Sequence, residues 1–70
     1  MDDIIMAITV YDDQDSITEV VVRRDDIVHF HSNQCNSNDC TFDLSELEKG
    51  NYTAIVYTEK GNVFSAPILV

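Results

Sequence analysis

Seventy residues make a single domain, and a chain this short buries only about 60% of its unfolded surface. Thirteen acidic residues against four basic ones give a net charge of −9, which argues against a nucleic-acid binder and disfavours attachment to anionic membranes. The hydrophobic fraction of 44% is too high for a disordered chain, yet no apolar run reaches membrane-spanning length, so no membrane insertion is expected.

Ile4 to Tyr11 is the first β-rich segment. Met6, Ile8 and Val10 fall on one face of it, and Ile5, Ala7, Thr9 and Tyr11 on the other. Both faces are largely apolar, as in a strand that is covered twice or that forms an association surface. Asp12 to Ser16 reads as a solvated turn. Ile17–Arg24 and Ile27–Ser32 are predicted as strands joined by a hairpin at Arg23-Arg24-Asp25-Asp26. Alternation places Val20 and Val22 on one face, Val28 and Phe30 on one face, and His29 and His31 together on the opposite one.

Asn33 to Asp39 is loop by composition, and Thr41 to Leu44 is a short strand with Phe42 and Leu44 facing inward. Ser45-Glu46-Leu47-Glu48 has the S-x-x-E spacing of a capping box, with room for no more than one turn before Gly50. Leu47 is expected to plug the end of the core. Asn51 to Glu59 alternates clearly, with Tyr52, Ala54 and Val56 on one face. Glu59-Lys60-Gly61-Asn62 is a hairpin with Gly61 at a positive φ. Val63 to Val70 is the final strand, and Pro67 restricts it to an edge or a bulge.

These elements predict an all-β fold, a small antiparallel immunoglobulin-like β-sandwich of about six strands spanning residues 1–70. Full immunoglobulin-type domains take about 100 residues. This sandwich is therefore minimal and short of a strand that a partner would supply.

The run Phe42-x-Leu44-Ser45-x-Leu47-x-x-Gly50-x-Tyr52-x-Ala54-x-Val56, followed by Gly61 and a terminal apolar strand, resembles the closing half of small bacterial secreted immunoglobulin-like domains of unknown function. It is similar in the same way to type IX secretion C-terminal sorting domains. The resemblance covers about the last 30 residues well; the first 12, through Met6-x-Ile8-x-Val10-Tyr11-Asp12, fit loosely, with Gln14 and Asp15 where the family has a glycine. It implies a secreted, periplasmic or cell-surface bacterial module. The motif itself is structural: Tyr52 is placed to bury its ring and to bond its hydroxyl back to the preceding turn, as a tyrosine corner does.

His29, His31, Cys35 and Cys40 are the only cluster of metal-ligand types. Two imidazoles on one strand face and two thiolates from the next loop would complete a tetrahedral zinc site, although the spacing departs from the usual ligand pairs. The simpler reading is two solvated histidines beside a Cys35–Cys40 disulfide or two free thiols. Asp12, Asp13 and Asp15 offer oxygens to calcium but lack the ordered EF-hand loop. A cysteine–histidine nucleophile pair would need a substrate cleft that a domain of this size has little room for.

No catalytic residue and no cofactor are expected. The chain reads as a non-enzymatic interaction or adhesion module that meets a protein partner, or a second copy as a homodimer, through its edge strands. The alternatives are a sorting domain for type IX secretion and a small zinc-binding domain built on His29, His31, Cys35 and Cys40.

Overall fold

The computed structural model describes residues 4–33 and 35–70. Gln34, part of the expected 33–39 loop, lies outside the described residues. Six strands follow in chain order: β1 (Ile5–Thr9), β2 (Ile17–Arg24), β3 (Ile27–Ser32), β4 (Asp39–Asp43), β5 (Asn51–Thr58) and β6 (Val63–Leu69). No helix occurs among the described residues. The strands form two antiparallel sheets, one ordered β3-β2-β5-β6 and the other β1-β4. The all-β expectation is met, and the arrangement is that of a small sandwich. Pro67 lies on β6, an edge strand, where its missing N–H costs no ladder bond.

Hairpins join β2 to β3 and β5 to β6, while the other three connections pass between the sheets. Asp25 makes the tight turn of the first hairpin with a φ of 53°, a left-handed conformation that Asp tolerates better than most residues. Gly61 serves the second at a φ of 85°. The core lies between the sheets in two adjoining clusters. Val10, Ile17, Val20, Cys40 and Val56 form one, with Met6, Ile8 and Phe42 against it. Val22, Leu44, Tyr52 and Ala54 form the other, with Phe30, Leu47 and Ile68 packed on its rim. Leu47 thus closes one end of the sandwich, as its position in the sequence suggests.

Two bulges break the simple alternation. Ile17 pairs with Thr58 and Glu19 with Tyr57, so Thr18 is the extra residue on β2. That slip lets Ile17 and Val20 both be fully buried, although strict alternation would put them on opposite faces. On β3, Phe30 pairs with Val22 but Val28 pairs with Arg23, which leaves His29 as the extra residue. Phe30 therefore turns inward, its ring 5.6 Å from that of Phe42, while Val28 is 55% exposed. Val28 and Phe30 do not behave as one face.

The segment between β4 and β5 is a set of turns without a helical turn. Asp43, not Ser45, organises it, accepting bonds from both the amide and the hydroxyl of Ser45. The Ser45 hydroxyl in turn accepts the amide of Ile4 at 3.0 Å. The S-x-x-E spacing is thus no capping box, because the Ser45 side chain is engaged with β1 instead of with a helix start. Tyr52 donates its hydroxyl to the Glu48 carbonyl at 2.6 Å, forming the tyrosine corner. The Arg24 guanidinium lies 5.0 Å above its ring, and the His29 ring meets it edge-on at 5.4 Å. Gly50 has a φ of 154°, and a Cβ there would run into the Arg24 guanidinium that donates to the Lys49 carbonyl.

Tyr52→Phe removes the hydroxyl that donates to the Glu48 carbonyl at this corner while leaving the ring packed. We expect a loss of about 1–2 kcal/mol in the free energy of unfolding, read by urea denaturation with an unchanged m-value. An unchanged midpoint would show that the corner bond is stabilising nothing.

Candidate functional site

The two sheets are unequal. Two strands in one cannot cover four in the other, and the uncovered part falls on β6. Its residues Phe64, Ala66 and Ile68 pair with Val56, Ala54 and Tyr52, all buried, so they share the core-facing side of the sheet. Yet Phe64 is 49% exposed and Ala66 is exposed as well. Beside them runs β1, whose other neighbour is β4. Between β1 and β6 lies an apolar groove made of cavities of about 360 Å³ and about 280 Å³. Ile8, Val56 and Phe64 line both, Ala66 lines the second, and Asp12 lines the first.

Asp15 ties the chain together beside one end of the groove. It belongs to the stretch expected to be a solvated turn, but it is only 2% exposed. Its carboxylate accepts the amide of Ser16 at 2.9 Å, the amide of Lys60 at 3.0 Å and the Asn62 side-chain amide at 3.1 Å. The segment leaving β1 is thereby fastened to the β5–β6 hairpin. Lys60 adds an ion pair from its ammonium to Asp12 at 3.0 Å. Burial pushes the Asp15 carboxyl up, but the hydrogen bonds from Thr58, Asn62, Lys60 and Ser16 outweigh it and hold the group at about 2. Asp12 is held below its ordinary value by the Gln14 amide and then by Lys60. The oxygens that sequence reading offered to calcium are thus bound to protein donors at Asp12 and Asp15.

The residues proposed for zinc are dispersed. Cys35 and Cys40 are joined in a disulfide with their Cα atoms 6.4 Å apart, so neither sulfur is a thiolate for a metal or a nucleophile. The β3 bulge separates the histidines: His29 rests on the edge of Tyr52, whereas His31 pairs with Val21 on the outer face and meets Glu19 at 3.3 Å. They do not share a face, because the extra residue resets the two-residue period between them. No group of three or more metal-ligating side chains occurs among the described residues. On the side of these strands that alternation turns away from the core residues, Ile5 is 57% exposed, Tyr11 98% and Tyr57 36%, while Ile55 is half-buried.

The sequence signals this groove only in part. The apolar alternation of Phe64, Ala66 and Ile68 was visible, but alternation reports which side a residue faces and not whether anything lies over it. Comparison with known protein families, with characterised proteins and with solved structures finds no significant match to this chain.

Two outcomes follow from these links. Because the folded pKa of Asp15 lies below its ordinary 3.8, its contribution is present above that value and is lost as pH falls toward about 2. Thermal melts should show stability declining through this window, and Asp15→Asn should lower the melting temperature at neutral pH and flatten the decline, leaving the part due to Asp12 and to Asp43, which the Ser45 bonds hold low. A variant with the same pH profile as the parent would remove Asp15 from this role. Opening the Cys35–Cys40 loop by Cys35→Ser should cost about 2 kcal/mol of stability, the chain-entropy value for so short a loop, measured against the parent with and without reductant.

Proposed function

We propose that this domain is a non-catalytic protein-interaction or adhesion module that acts outside the cytosol, in the cell envelope or secreted from a bacterium. One observation carries the binding part: Phe64, on the core-facing side of β6, is 49% exposed beside an edge of β1 that no described strand pairs. An apolar face left uncovered next to an open ladder suits strand addition, in which main-chain bonds give affinity and side-chain alternation gives selectivity. The Cys35–Cys40 disulfide supports an oxidising compartment, where such bonds persist. The acidity fits a soluble surface that resists non-specific aggregation through its open edges.

The test is selection of extended peptides from a displayed random library on the immobilised domain, followed by the same selection on Phe64→Lys. We expect enriched binders with the parent and at least about tenfold weaker binding of those peptides to the variant, the loss of one well-placed apolar anchor. Selection that enriches nothing would sink the reading.

A further inference from the structure

The backbone groups along β1 divide into two rows. Leu44 donates its amide to the Ile4 carbonyl at 2.7 Å, and Val10 donates its amide to the Asn38 carbonyl at 2.7 Å. In an antiparallel pair each residue aims its N–H and C=O to one side, and successive residues alternate. Met6 and Ile8 are therefore bonded toward β4, and the N–H and C=O groups of Ile5, Ala7 and Thr9 point to the opposite edge. No strand pairs along that edge among the described residues. A strand bonded there would lie about 4.8 Å beyond β1 and about 10 Å above the other sheet, the ordinary strand and sheet spacings. Every second side chain would drop onto Phe64 and Ala66.

The shape of this opening selects its occupant. Two-fold pairing of β1 with β1 of a second copy would set the axis half a strand spacing beyond β1. The overhanging β6 of each copy would then cross that axis and occupy the place of the other. Charge opposes it as well, since each copy carries −9. Asp12 and Asp13 follow the last residues of β1, and Asp43 pairs with Ile5 at its start, so acidic groups stand at both ends. The nearby cation, Lys60, is already paired with Asp12.

We propose that the free edge of β1 and the exposed core-side face of β6 form a slot for one extended segment of another protein, with alternating apolar side chains and Lys or Arg at its two ends. This rests on the interaction-module reading and assigns it a site and a ligand chemistry. The segment completes the β1-β4 sheet as a third strand, and Ala66 supplies the room beneath it.

The probe is the acetylated, amidated peptide KTVTVTVTK, titrated into the isotope-labelled domain and followed by amide NMR shifts. Saturable shifts at Ile5, Ala7, Thr9 and Phe64 to Ala66 are expected, weakening with added salt. The counterpart ETVTVTVTE should bind roughly tenfold more weakly, as expected from reversing two exposed charge pairs. Ala7→Pro removes an edge-facing N–H at a position where an edge strand accepts proline, and should abolish binding with an unchanged spectrum elsewhere. Should that variant unfold, Ala66→Trp, which fills the slot from an exposed position, decides by the same loss. Absence of binding at millimolar peptide, equal binding of the two peptides, shifts confined to β3, or binding that survives both substitutions would overturn the slot. Library-selected binders that map to β3 would leave the interaction module standing without it, whereas a library that yields none removes both.

Discussion

The carboxylate of Asp15 sits at the joint on which this sandwich turns. It collects amide donors from Ser16, Lys60 and Asn62, and so ties the segment after β1 to the hairpin before β6. A buried carboxylate is costly unless its lone pairs are met, and here backbone and side-chain donors converge on it. The consequence reaches past the loop. Fixing these two chain segments side by side brings Asp12 and Asn62 together at one end of the groove between β1 and β6.

At the opposite end the constraint is the tyrosine corner. Tyr52 bonds to the Glu48 carbonyl, carries Arg24 over its ring, and stands beside a glycine that leaves the guanidinium its space. Val70 and Gly50 exchange amide–carbonyl bonds at 2.9 and 3.0 Å, which closes the far end of β6. The third closure is the Cys35–Cys40 bridge, in the connection that carries the chain from β3 to β4. All three devices pin crossings between sheets or strand ends. On the β1–β6 side the Asp15 joint and the Lys60–Asp12 pair tie only the end of the strands, and no described strand pairs between β1 and β6 along their length. In a domain too small to bury much apolar surface, that side is where surplus apolar area stays exposed, at Phe64 and Ala66.

Particular residues show how far pattern reading reaches. β2 and β3 have the bounds expected from β-branched runs between acidic turns, and Pro67 correctly marks an edge. The histidines show the limit. Alternation puts His29 and His31 together, and a single extra residue opposite Arg23 parts them, because a bulge leaves no compositional mark in HFH. Asp15 is similar: among neighbouring aspartates it looks solvated, and only the approach of a hairpin 45 residues later supplies its donors. Asp43 took the role expected of Ser45 because β1 competes for the serine hydroxyl.

The amino-acid sequence by itself determined the strand inventory, the hairpins at Asp25 and Gly61, the tyrosine corner and the absence of room for a helix. These depend on local preference and on a two-residue period, which neighbouring residues settle among themselves. Only the tertiary structure decided that β1 pairs with β4 alone among the described strands, that Phe64 faces a core that does not reach it, and that the cysteines meet each other and not the histidines. Those outcomes depend on which strands lie over which, and that is a property of long-range pairing rather than of any segment's own residues.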